Sequence, residues 1–171
     1  HTSYIGVSWA RRCVYETVPT QWVEPDDMES MAGTKLPPSD WMVVEQERIN
    51  TFADCTEDHQ FIHIDEEAAA KTPFGGTIAH GFLTLSLLVK LSSENSIGVK
   101  GMVMGVNYGI DKLRFLAPVR AGKRIRAHTE VLNVDRKDAN RFLVKTGVTV
   151  EIEGEETPAL YAEWLGMQFI A

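Results

Sequence analysis

Cysteine is scarce in this chain: Cys13 and Cys55 are the two among 171 residues, and neither belongs to a C-x-x-C pair. That removes support for a zinc ribbon or a thioredoxin-like motif, and a reducing cytoplasm is the expected compartment. Basic charge is also short, with 17 Lys+Arg against 24 Asp+Glu and a net charge of −7. Binding to nucleic acid rests on cations that neutralise phosphates, so it is not expected here. Long apolar runs are missing. The longest, Phe82–Leu91, is broken by Thr84, Ser86 and Lys90 and falls well short of the ~20 residues that cross a bilayer. Arg11 and Arg12 are followed by no apolar stretch, so no signal peptide is expected and no membrane partner either. Internal repeats and low-complexity tracts are absent, and no G-x-S-x-G surrounds Ser86.

What remains is an ordinary globular composition, 44% hydrophobic and 24% charged, in a chain long enough for one self-sufficient core. Pro25-Asp26-Asp27 opens a helix that Gly33 closes. Trp41–Val44 reads as a short strand. Residues 46–57 carry Ile49, Phe52, Ala53 and Thr56 at helical spacing. Asp58–Ile64 fits neither period and reads as a loop, and Asp65 then caps a small helix over 66–71. Phe82–Leu91 is apolar on nearly every side, which predicts a helix buried all round. From Met102 the period becomes two: Ile125, Ala127, Thr129 and Val131 alternate with polar neighbours, as do Phe142, Val144, Thr146, Val148 and Val150. This predicts a meander of about four antiparallel strands joined by hairpins at Ala121-Gly122, 136–140 and 153–158. The expected architecture is α+β, a curled antiparallel sheet around a long helix. Residues 36–171 form the single domain, and residues 1–35, opening on His1, form an N-terminal extension with no assigned function.

Three clusters carry suitable chemistry. In Asp58-His59-Gln60-Phe61-Ile62-His63 an Asp and a His on one loop could hold a water, one accepting and the other returning a proton. The plain alternative is a helix cap and a satisfied polar His. At His80-Gly81 the N-terminal N–H groups of the following helix lack intrahelical partners and could stabilise a carbonyl that gains negative charge. Here the alternative is that Gly75, Gly76 and Gly81 simply permit a tight turn. Lys112, Arg114, Lys123, Arg124 and Arg126 form a basic set that could hold the phosphates of a carrier, or form the solvated face of a sheet. Cys55 reads as a small buried hydrophobe. Asp58, His59, His63 and His80 lack a confirming metal-ligand spacing, so no metal is expected.

The paired runs Asp58-His59-Gln60-Phe61-Ile62-His63-Ile64-Asp65 and Phe74-Gly75-Gly76-Thr77-Ile78-Ala79-His80-Gly81 resemble the MaoC-like dehydratases, which include the (R)-specific enoyl-CoA hydratases. With Gly105-Val106-Asn107-Tyr108-Gly109 they are most similar to the nodulation-protein-N-like branch. The resemblance covers about Asp40 to the C-terminus. It implies a hotdog fold, a homodimer formed by edge-to-edge strand pairing, and an acyl thioester of coenzyme A or a carrier protein as substrate, with no cofactor. It also implies that Asp58 and His63 hold the reacting water and that the Gly81 N–H is the oxyanion donor. Gln60, His80, Lys112 and Arg114 are then the expected substrate contacts. One departure stands out: Gln60-Phe61 replaces the Asn-Pro of the hydratases, which bears on the geometry of the loop.

The leading expectation is a lyase that adds water to a 2-enoyl thioester or removes it from an (R)-3-hydroxyacyl thioester. A hotdog acyl-CoA thioesterase and a non-catalytic acyl-thioester binding module are the competing ones.

Overall fold

The computed structural model describes residues 19–93 and 95–171; Arg11, Arg12 and Cys13, and the first half of the expected extension, lie outside them. Strand β1 (Gln21–Val23) is followed by a 3-10 helix, Pro25–Met31, then β2 (Met42–Val43) and α1 (Gln46–Thr56). Next come the short helices α2 (Phe61–Ile64), α3 (Glu66–Ala70), α4 (Gly81–Ser86) and α5 (Leu88–Ser93). Strands β3 (Ile97–Val99), β4 (Met102–Phe115), β5 (Arg124–Asp138), β6 (Arg141–Ile152) and β7 (Leu160–Ile170) complete the chain.

Period-two patterning sets the sheet. Ile125, Ala127, Thr129 and Val131 are buried, while Arg124 and His128 are exposed and Arg126 and Glu130 half-buried, so β5 has one core face and one wet face. Strands β5, β6 and β7 pair consecutively, with tight connections around 139–140 and 153–159. The expected meander fails at its first strand. The sheet order is β2-β5-β6-β7-β4, so β4 lies beyond β7 at the far edge. Ala121-Gly122 is therefore no hairpin turn. It belongs to a crossover that holds the segment before α4: the Ala79 N–H donates to the Val119 carbonyl (2.7 Å) and the Ala121 N–H to that of Thr77 (3.0 Å).

The apolar run after Gly81 lies across the sheet, as expected, and buries Leu83, Leu87, Leu88 and Leu91 against Ile125, Val148, Val150 and Leu160. Two expectations about it are corrected. The helix is interrupted at Leu87, whose N–H is shared between the Leu83 and Leu85 carbonyls. Nor is it buried all round in the protomer, because Phe82 and Val89 are 67% and 42% exposed.

Residues 19–35 are part of the body. Strand β1 pairs in parallel with β3, and Met28, fully buried, joins Val99, Val131, Val134 and Phe142 in a second core cluster. Cys55 is exposed rather than buried. The core side of α1 is marked by Ile49 and Ala53, and a residue two positions past Ala53 points away from it. Among the described residues no helix is long and apolar enough to cross a membrane.

Candidate active site

Helix α1 ends in a way that delivers Asp58. Its C-cap Glu57 adopts φ +60°, the sole positive φ at a non-glycine among the described residues. This left-handed turn stops the helix and redirects the chain. Three residues after Glu57 the Gln60 carbonyl accepts the His63 N–H at 2.9 Å. The expected loop is thus partly the four-residue helix α2, which turns Asp58 and His63 toward each other. Asp65 caps α3 as expected, its Oδ1 accepting the Ala68 N–H at 2.9 Å.

Residues 77–79 form an extended strap against this turn. The Ile78 N–H donates to the Ile62 carbonyl at 3.0 Å, and His63 Nδ1 lies 2.7 Å from the Ile78 carbonyl. A carbonyl can only accept, so Nδ1 carries the proton and Nε2 of neutral His63 presents a lone pair. Burial holds the His63 pKa below its ordinary 6.5, with His80 adding to the depression and the Ile78 carbonyl and Asp58 opposing it. The chain thus keeps a neutral, oriented imidazole beside a half-exposed carboxylate.

His80 completes the cluster. Its ring stacks on that of His63, centroids 3.7 Å apart, and lies against Phe52 at 5.0 Å. His80 Nε2 donates to the Asp58 backbone carbonyl at 3.0 Å and lies 4.0 Å from its carboxylate. Its Nδ1 is buried without a partner. Asp58, His63 and His80 each bring a side-chain atom within 4.8 Å of the others. His59 does not join them; it turns outward to Asp54 at 2.9 Å, which raises its pKa.

Gly81 begins α4 next to this cluster and lines a cleft of about 330 Å3 with His63, Thr84, Phe115, Pro118 and Val119. A Cβ on Gly81 would stand 3.2 Å from the Phe115 ring, so the absent side chain is what lets a ligand approach the helix N-terminus.

The other expected contacts are dispersed. Gln60 contributes its backbone to the turn. Lys112 and Arg114 pair across strands with Glu163 and Tyr161, whereas the alternate residues Leu113, Ala162 and Leu160 pack in the core. Both cations therefore face away from the helix, with Lys112 over the Tyr161 ring. Arg124 and Arg126 are paired with Glu153 and Glu151 and lie against Trp41. These two are the solvated face of the sheet.

Sequence reasoning missed the residues that hold the strap. Gln46 donates to the His63 carbonyl (2.7 Å) and accepts from the Thr77 hydroxyl (2.5 Å). Glu66 accepts the Thr77 N–H at 2.9 Å, and the Arg120 guanidinium bonds the Gly75 carbonyl. The Thr77 contacts hold the Glu66 carboxyl below its usual range. No local pattern marks Gln46 as a clasp, because the strap and turn residues it bonds lie 31 and 17 residues away.

Residues 27–153 match the MaoC like domain family. The chain is 46% identical over 140 residues to Nodulation protein N of Rhizobium leguminosarum bv. viciae, covering 81% of this chain and 87% of that one. It is likewise 46% identical over 137 residues to 3-hydroxyacyl-thioester dehydratase Z of Mycobacterium tuberculosis, covering 80% and 90%. Among solved structures, a monoamine oxidase regulatory protein from Archaeoglobus fulgius superposes with a TM-score of 0.68 at 30% identity, covering 82% and 91%. The (R)-hydratase from A. caviae superposes at 0.62 and 25%, covering 79% and 94%. The hotdog architecture, with its curled sheet and crossing helix, is common to these structures. By sequence, fold and the pairing of its two motifs, the chain belongs to the MaoC-like domain family.

Proposed function

We propose that the protein is a hydratase/dehydratase that interconverts 2-enoyl and (R)-3-hydroxyacyl thioesters. The observation that carries this reading is the oriented, neutral His63 with its free Nε2 beside the Asp58 carboxylate and the Gly81 N-terminus. The dehydratase and hydratase relatives support it.

In this reading the thioester carbonyl accepts from the Gly81 N–H, and a water lies between Asp58 and His63 Nε2. The pair takes one proton from the water as its oxygen bonds C3. Charge then builds on the thioester oxygen as an enolate, where the helix N-terminus offsets it. A proton returned to C2 completes the addition of H and OH, and dehydration runs the same steps backward. The pair titrates as a unit. No metal or organic cofactor takes part in this scheme.

We assign the carrier end of the substrate, coenzyme A or a carrier protein, to the rim of the Gly81 cleft beside Phe115. The protein is read as a cytoplasmic homodimer. Among the described residues no strand pairs with the outer edge of β4, and Val103, Met104, Val106, Tyr108 and Ile110 along it are exposed. A long apolar edge strand invites pairing with a second copy, and sedimentation should give twice 19.1 kDa.

The test is crotonyl-CoA with the purified protein, following enoyl absorbance and free thiol together. Loss of enoyl absorbance without thiol release is expected. Thiol release with the enoyl group intact would instead indicate a thioesterase, and binding with neither change a non-catalytic module.

A further inference from the structure

Two polar side chains line the Gly81 cleft among the described residues, His63 and Thr84; the other side chains along it are apolar. The donors nearby are committed elsewhere. His63 gives its Nδ1–H to the Ile78 carbonyl, so its ring offers a lone pair at Nε2. His80 gives its Nε2–H to the Asp58 carbonyl, and the Asp58 carboxylate can only accept. The hydroxyl of Thr84 is therefore the one side-chain hydrogen-bond donor that faces this cleft among the described residues.

The fold itself makes little use of that hydroxyl. Thr84 is 3% exposed, and its Oγ1 lies 3.4 Å from the His80 carbonyl, which already accepts the Thr84 N–H at 3.1 Å. An effective O–H···O bond spans ~2.5–3.0 Å. The same bond, from a helical hydroxyl to the carbonyl four residues back, measures 2.9 Å at Thr51, 2.7 Å at Thr56 and 2.8 Å at Ser86. Those three residues are exposed and have water as an alternative; Thr84 is buried and has the loose bond. A buried hydroxyl without a full-strength partner is costly to keep. Thr84 shares a helix face with Gly81, three residues back, and a helical side chain leans over the turn before it. Threonine also has two accessible rotamers in a helix, so rotation about one bond re-aims the hydroxyl.

We propose that the Thr84 hydroxyl donates to the reacting oxygen, that of the water in hydration and of the C3 hydroxyl in dehydration. The inference rests on the hydratase reading for the identity of that oxygen. A water held between the Asp58 carboxylate and His63 Nε2 gives one hydrogen to each, because both are acceptors. Two lone pairs remain on it. With the Thr84 O–H on one, the other is directed at C3. In the reverse direction the same hydroxyl meets the negative charge that builds on the departing oxygen. Thr84 keeps its own proton throughout, so the proton taken from water still passes to the Asp58/His63 pair.

The test compares wild type, Thr84→Val and Thr84→Ser in crotonyl-CoA hydration and in thermal unfolding. Valine matches the shape of threonine without the hydroxyl, and serine keeps the hydroxyl. Thr84→Val should lower kcat by ~10- to 100-fold, change KM by less than about threefold and leave Tm no lower than that of the wild type. Thr84→Ser should stay within about fivefold of the wild-type kcat. Binding of (R)-3-hydroxybutyryl-CoA and butyryl-CoA, which differ in the C3 hydroxyl alone, is measured in Asp58→Asn to suspend turnover. The hydroxylated thioester should bind about fivefold tighter, and adding Thr84→Val should remove most of that preference. Wild-type kcat in Thr84→Val, a loss in Thr84→Ser as large as in Thr84→Val, or a preference that Thr84→Val leaves intact would overturn the proposal. A preference that depends on Thr84, in a protein that hydrates no thioester, would instead contradict the hydratase reading and leave the Thr84 contact standing.

Discussion

The imidazole of His80 lies face to face on that of His63, 3.7 Å between centroids, while its Nε2–H holds the backbone carbonyl of Asp58. One buried side chain thus fixes both candidate catalytic residues: the ring of one and the main chain of the other. His80→Phe keeps an aromatic surface against His63 and removes the donor to Asp58. It should lower kcat by ~10- to 100-fold, since small misplacements of reacting groups carry such losses, and change KM by less than about threefold. Unaltered kcat together with a lowered melting temperature would make His80 a purely structural residue.

The depressed pKa of His63 has a kinetic consequence. If His63 must be neutral, the acid limb of kcat/KM falls below the ordinary 6.5. A limb above that value would not fit burial as the dominant influence.

The same depression bears on stability, with a definite sign. The unfolded chain takes up a proton at His63 near 6.5, whereas the folded site resists it until lower pH. The stability linked to this group is therefore present above 6.5 and lost as pH falls toward the folded pKa. Urea unfolding at neutral pH and at about pH 5 should show wild type losing more stability on acidification than His63→Gln. Equal losses would contradict the assignment.

Gly81 and Phe115 should be coupled. A Cβ at Gly81 meets the Phe115 ring at 3.2 Å, so Gly81→Ala pushes the ring across the helix N-terminus and should lower kcat/KM by at least ~10-fold. Phe115→Ala gives that Cβ room, and the double variant should recover part of the loss. Additive losses in the cycle would place the effect elsewhere.

Met28 tests whether the N-terminal segment belongs to the fold. It is fully buried among Val99, Val131 and Phe142, so Met28→Ala should cost about 2–5 kcal/mol, read by denaturant unfolding. A loss below ~0.5 kcal/mol would be that of a detachable extension.

Local patterns made much of this legible in the sequence. The alternation in β5 and β6, the Asp65 cap and the position of α1 follow from nearest neighbours in the chain. The two motifs that meet at the site were also visible as motifs. Long-range choices were not. Strand β4 passes β5 and pairs with β7, while the crossover at 116–123 clamps residues 77–79, and no period records either. Phe82 and Val89 read as buried because hydropathy does not say which surface covers them. The clasp from Gln46 to Thr77 and the stack of His80 on His63 depend on residues 31 and 17 positions apart, which only the folded chain brings together.

In the proposed reaction Asp58 and His63 jointly activate water. Crotonyl-CoA hydration by Asp58→Asn and His63→Gln, each confirmed as folded by circular dichroism, tests it most directly. Each variant should lose about a thousandfold in kcat, and the double variant little more than either alone, as expected of groups that act as a unit. Wild-type turnover in either single variant would contradict it.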